Sequence, residues 1–185
     1  MPKLYFKYGA MGSSKTANAL MVRFNYVEKG YKVALMKPAI DSRDEYGELR
    51  SRIGLKGKCI MITEDMNLYD WFKTTDYQVL IIDEAQFLTP LQVEQLKDVA
   101  CEFVPVICFG LKTDFRTYMF PGSKRLFELA DSITEIKSVC KCGRKAEVNA
   151  RLSDGKIVRE GNQVEIGGNE MYIGMCYNCW KNNKL

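Results

Sequence analysis

An apolar run, Leu4 to Tyr8, stops at Gly9, and the chain then passes through Ala10-Met11-Gly12-Ser13-Ser14 into Lys15-Thr16 and a helical pattern. A buried strand that turns on glycine and returns as a helix commits the chain to stacked layers of sheet and helix. Similar runs recur at Val33 to Met36, Cys59 to Ile62, Val79 to Ile82 and Val104 to Phe109. None alternates polar with apolar, which predicts strands covered on both faces, as in a parallel sheet. Helical patterns lie between several of them, including Leu91 to Ala100, where Val93, Leu96 and Ala100 share a face. The first helix is expected to present Leu20, Met21, Phe24 and Val27 on one face and to stop at Gly30. Strand and helix in alternation imply an α/β fold with right-handed crossovers.

Two regions break this rhythm. Residues 39 to 58 are charged and carry Gly47, Gly54 and Gly57, which reads as a mobile loop or excursion. After Lys137 the helical patterns vanish and Gly155, Gly161, Gly167 and Gly168 punctuate short segments, predicting a small β-type appendage over 138–185. At 185 residues and 46% hydrophobic, the chain has material for one core plus such an appendage. No apolar run reaches the roughly 20 residues that cross a bilayer, and the N-terminus lacks a secretory h-region, so a cytoplasmic location without membrane attachment is the expectation. A net charge of +4 spread among 23 acids gives no basic block for nucleic acid.

The absence of histidine narrows the chemistry further. It removes the usual general base, the Ser-His-Asp and Cys-His nucleophiles, and imidazole metal ligands. Gly9-Ala-Met-Gly-Ser-Ser-Lys15-Thr16 is close to the phosphate loop G-x-x-x-x-G-K-[ST], with Ser14 where the second glycine is expected. Such a loop aims backbone N–H groups at phosphate oxygens, with Lys15 adding charge and Thr16 a hydroxyl toward Mg²⁺. A Gly/Ser turn that merely caps a helix is the alternative. Val79-Leu-Ile-Ile-Asp83-Glu84 is an apolar strand ending in two carboxylates, the first suited to Mg²⁺ and the second to accepting a proton in the crevice at the strand ends. A solvated acid pair is the plainer reading. Seven cysteines without an export signal argue against a disulfide framework. Cys140-Lys-Cys142 and Cys176-Tyr-Asn-Cys179 instead suit a tetrahedral structural Zn²⁺, with reduced core cysteines as the alternative.

Together these residues resemble the zinc-containing, cytosolic class of thymidine kinases. The likeness covers nearly the whole chain: the phosphate loop, Lys37-Pro-Ala-Ile-Asp41-Ser-Arg43, Asp83-Glu84-Ala85-Gln86-Phe87, Gly110-Leu111 with Phe115, and the cysteine-bearing end. The chain departs from the family at Ser14, normally Gly, at Cys140-Lys-Cys142, normally C-x-x-C, and at Arg52, where bacterial relatives often carry His. The fold then expected is a phosphate-loop, RecA-like parallel sheet with helices on both faces over 1–137, plus a zinc-stapled lid over 138–185. The resemblance implies transfer of the ATP γ-phosphoryl group to the 5′-hydroxyl of thymidine, with Glu84 as base and Lys15 on the phosphates. ATP and Mg²⁺ would be held by Gly9, Ala10, Met11, Gly12, Ser13, Ser14, Lys15, Thr16, Asp83, Glu84, Ala85 and Gln86. The nucleoside would meet Phe87, Leu111, Phe115 and Phe120, closed over by Gln163, Val164, Glu165, Ile166, Gly167 and Tyr172. Zn²⁺ would sit on Cys140, Cys142, Cys176 and Cys179. A pocket shaped around a methyl group discriminates by only about 1 to 3 kcal/mol, so deoxyuridine is an expected second substrate. A homotetramer and feedback by a nucleoside triphosphate complete what the family implies. Two other classes share parts of the pattern, a RecA-like nucleic-acid-dependent ATPase and a non-catalytic zinc-ribbon module; the second leaves residues 1–137 unexplained.

Overall fold

The computed structural model describes residues 1–41, 45–164 and 171–185. Its elements run β1 (Leu4–Tyr8), α1 (Lys15–Glu28), β2 (Val33–Pro38), β3 (Glu48–Arg50), β4 (Lys56–Lys58), β5 (Ile60–Ile62), α2 (Leu68–Lys73), β6 (Val79–Ile82), α3 (Pro90–Glu102), β7 (Val106–Gly110), α4 (Pro121–Leu129) and β8 (Ser132–Glu135). The tail adds β9 (Ser138–Val139), β10 (Lys145–Ala146), β11 (Val148–Ser153), β12 (Lys156–Val158), β13 (Tyr172–Met175) and α5 (Tyr177–Lys181). Six strands form one parallel sheet in the order β5-β2-β6-β7-β1-β8.

Strand β6 shows why its sequence does not alternate. Leu80 and Ile82 enter one core with Leu4, Phe6, Leu96 and Leu126, whereas Val79 and Ile81 enter a second with Ala19, Leu35 and Phe109. Both faces are therefore apolar, α3 covering the first and α1 the second. The α3 start is fixed by a capping box: Gln92 N–H donates to Thr89 Oγ1 at 3.1 Å, and Thr89 N–H donates to Gln92 Oε1 at 3.2 Å.

The first helix departs from its expected orientation. Its buried residues are Lys15, Ala17, Ala19 and Leu20, while Met21, Phe24 and Val27 are exposed. The apolar stripe exists, but the core is met by Ala19 and Leu20, with Val22 and Tyr26 packed against it at the side, and not by Met21, Phe24 or Val27. The excursion at 39–58 contains an antiparallel hairpin, β3 with β4, held by the buried Leu49 against the α1 face. The edge strand β8 escaped notice because Ser132–Glu135 pairs on one side only and carries polar residues. The tail holds an antiparallel sheet, β12-β11-β13, and the helix α5, whose start is capped by the Cys176 thiol accepting from Cys179 N–H at 3.4 Å.

Candidate functional site

Parallel strands place all their C-terminal ends on one edge. There β1 delivers the loop from Gly9, β2 delivers Asp41, β6 delivers Asp83 and Glu84, and β7 delivers Leu111. Two cavities open along this edge and share Met11, Asp41 and Glu84.

The first cavity, of about 280 Å³, is lined by Gly12, Ser14, Lys15 and Thr16 from the loop and by Asp83. The β3–β4 hairpin supplies its far wall through Arg50, Ser51 and Arg52. Ser14 sits at φ 59° and ψ 30°, the left-handed geometry that favours glycine, so the serine adopts the glycine's conformation at a cost of roughly 1 kcal/mol. Lys15 is buried and donates to Ala10 O at 2.9 Å and Ser13 Oγ at 3.3 Å, holding its charge against the loop. Thr16 Oγ1 donates to Asp83 Oδ2 at 2.7 Å. The other carboxylate oxygen of Asp83 is buried with no hydrogen-bond partner among the described residues. Burial, reinforced by the negative charge of Glu84, pushes the Asp83 carboxyl up to about 7. A buried acid with an orphaned oxygen beside a threonine hydroxyl fits a divalent cation, whose charge would remove that penalty.

The second cavity is narrow, about 60 Å³, and mostly apolar. Phe87 and Phe120 meet edge to face with centroids 5.7 Å apart, and Leu111 and Phe115 complete the walls. Gln163, Val164 and Tyr172 close it from the tail, whereas Arg43, Glu165, Ile166 and Gly167 lie outside the described residues. Arg151 stacks its guanidinium 3.7 Å from the Phe115 centroid, donates to Tyr172 OH at 3.2 Å and donates to Asn162 O at 2.7 Å. Gln163 Nε2 donates to Asp114 Oδ2 at 3.1 Å, tying the closing segment to the loop after β7.

Glu84 stands between the two cavities at φ 51°, another left-handed position for a residue with a side chain. Gln86 orients it: Nε2 donates to Glu84 Oε2 at 2.5 Å, and Oε1 accepts from Leu111 N–H at 3.0 Å. Gln86, placed with the phosphate-binding residues on sequence grounds, thus lines the apolar pocket instead. Gly9, Ala10, Ser13 and Ala85 line neither cavity. Sequence reasoning missed Thr113, Asp114 and Asn149 in the second cavity and Arg50 and Ser51 in the first. An Asp directly before Phe115 was a usable signal; Asn149 offered none.

In the tail, the sulfurs of Cys140, Cys142, Cys176 and Cys179 all lie within 4.8 Å of one another. Cys142 and Cys176 are 3.6 Å apart, and three of the four residues are buried. The tight C-x-C half closes because Gly143, at φ 85°, turns the chain so that its N–H donates to Cys140 O at 2.8 Å. Burial opposes ionisation of the Cys140 thiol, yet hydrogen bonds from the Cys142 and Cys176 backbone and thiols outweigh it and hold the group at about 6. Hydrogen bonding to the Cys142 and Cys176 thiols and burial push the Cys179 thiol up to about 12. Four sulfurs at this spacing suit one tetrahedral soft cation.

Residues 2–180 match the family model described as thymidine kinase. Thymidine kinase of Enterobacteria phage T4 is 44% identical over 186 residues, spanning 97% of this chain and 96% of the relative. Thymidine kinase of Streptococcus agalactiae serotype III is 44% identical over 180 residues, with 95% of each chain covered. That of Legionella pneumophila (strain Lens) is 45% identical over 183 residues, covering 95% of this chain and 88% of the relative. Among solved structures, Bacteroides Pif1 bound to ssDNA aligns with a TM-score of 0.40 at 16% identity over 72% of this chain and 38% of that one, a likeness that carries no argument.

Proposed function

The chain belongs to the thymidine kinase family, and we propose that it transfers the γ-phosphoryl group of ATP to the 5′-hydroxyl of thymidine. The observation that carries this reading is the meeting of a polar, lysine-bearing cavity and an aromatic pocket at Glu84; the other carboxylate the two share, Asp41, is buried and ion-paired with Lys37 at 3.7 Å. Triphosphate lies along the loop, with Lys15 leaving its contact on Ala10 O to reach the phosphates. The pyrimidine lies between Phe87, Phe115 and Phe120, which directs its sugar hydroxyl toward Glu84. Gln86 fixes one Glu84 oxygen, leaving the carboxylate oriented to take the hydroxyl proton as the oxygen attacks phosphorus. Mg²⁺ would be held by Thr16 and Asp83 and would supply positive charge to offset that of the phosphates. Zn²⁺, held by the four cysteines, would be structural, since four sulfurs leave no open position.

Deoxyuridine is a second substrate in this reading, because the walls around a 5-methyl group are apolar. A nucleoside triphosphate of the product series could span both cavities at once, which makes it the natural feedback inhibitor. A homotetramer is what the family resemblance implies, and the exposed apolar stripe of α1, formed by Met21, Phe24 and Val27 with Tyr31 beyond its end, offers one of the subunit contacts it would need. Among the described residues no helix is long and apolar enough to cross a membrane, and a reducing, cytoplasmic setting would suit the free thiols. Incubation with ATP, Mg²⁺ and a panel of nucleosides, with products identified by mass spectrometry, tests the assignment. Thymidine monophosphate is the expected product; folded protein that phosphorylates no pyrimidine deoxynucleoside would reject it.

A further inference from the structure

The phosphate loop is held from behind by the tail. Asn149, on β11, is 3% exposed, and its carboxamide spans two segments distant in sequence. Its Oδ1 accepts from Met11 N–H at 2.8 Å, and its Nδ2 donates to Thr113 O at 2.7 Å. On the next strand, Gly174 lies so close to the loop that a Cβ there would stand 2.3 Å from Met11 O. Ala10 is itself buried in the small core around Cys140, Met175 and Cys179. Both polar groups of the Met11 backbone therefore face residues of the tail.

We infer that Asn149 is a positioning residue for the phosphate loop, and that donor affinity depends on the tail although every loop residue lies near the start of the chain. The inference rests on the reading of that loop as the ATP site. Asn149 serves as a bolt: one end fixes Met11, the other fixes the segment after β7. With Met11 N–H occupied, the following residues, Gly12 to Lys15, are left to face the phosphates. Without the bolt, the loop must find its binding geometry at the moment of binding, and affinity falls by the fraction of molecules that hold it. Gly174, the register partner of Asn149 on β13, is the matching restraint on the same residue, where an added methyl would push Met11 O rather than release it.

Calorimetry with the Mg²⁺ complex of ATP on the metal-loaded protein tests this in Asn149→Ala and Gly174→Ala. Both should weaken ATP binding roughly tenfold, the usual effect of losing one well-made hydrogen bond or displacing its partner. Gly174 lines neither cavity, but the Met11 it presses on lines both, so its variant should raise the KM for ATP more than the KM for thymidine. A merely structural role would lower thermal stability and leave both KM values alone. Unchanged ATP affinity in folded Asn149→Ala overturns the inference, as does a loss confined to thymidine. If Gly174→Ala does not fold, Asn149→Ala decides alone. Failure of the unaltered protein to bind ATP would sink the phosphate-loop reading itself; ATP binding without thymidine phosphorylation would sink the substrate and leave the bolt standing.

Discussion

At the scale of single residues, the site stores unfavourable geometry and charge where the chemistry is proposed. Asp83 is the clearest instance. Its carboxyl titrates near 4 when the chain is unfolded and at about 7 in the fold, so folding takes up a proton between these values. Stability from this group is therefore greatest below pH 4, falls as pH rises to about 7, and is flat beyond. Asp83→Asn should remove that slope and raise the melting temperature of the ligand-free protein at pH 8, by an amount worth a few kcal/mol at most at about 1.4 kcal/mol per pKa unit. Thermal melts of both proteins across pH 4 to about 8 check this; parallel curves would mean that the burial cost of Asp83 is met in some other way. Glu84 differs in kind, because its left-handed backbone and its tie to Gln86 fix direction. Glu84→Gln should slow the chemical step by about 10²- to 10⁴-fold while ATP and thymidine still bind, as single-turnover kinetics beside calorimetry would reveal. Full turnover in that variant removes Glu84 from the base role.

At the scale of elements, legibility followed what each segment packs against. The strands covered on both faces, β1, β2, β6 and β7, were readable because Leu80 and Ile81 point to opposite cores and both must be apolar. β8 was not, because an edge strand needs no such run. The α1 stripe was readable as a pattern but not as a direction: periodicity identifies a helix without saying how much of it a sheet will cover. In the site, the segments around Lys15, Asp83 and Glu84 announced themselves by spacing, whereas Asn149 and Thr113 are ordinary residues made important by what the fold brings beside them. The cysteine pairs were legible from spacing, and their closeness in space follows from the Gly143 turn and the α5 cap. Cys142→Ser should abolish stoichiometric metal, read by elemental analysis, and loosen the 138–185 segment, read as faster amide exchange in β11 and β13. Lys15→Ala should leave that metal in place. Retained metal in Cys142→Ser would remove the exposed thiol from the ligand set.

At the scale of the whole molecule, the α1 stripe leaves apolar surface that a single protomer does not cover. Phe24, 63% exposed, is its most prominent member. Phe24→Glu should shift the assembly toward smaller species in analytical ultracentrifugation, since like charges brought face to face across a symmetric contact repel. An unchanged sedimentation coefficient would place the subunit contacts on another face. The sheet order has a further consequence for how the molecule is made. β1 leaves the ribosome before its neighbours, yet it pairs with β7 and β8, contributed by residues 106–110 and 132–135. The loop that follows β1 waits longer still, for Asn149 and Gly174. A strand and loop translated early are thus among the last to reach their working geometry, and a nascent chain that stops short of Asn149 carries the phosphate-loop sequence without the restraints that shape it.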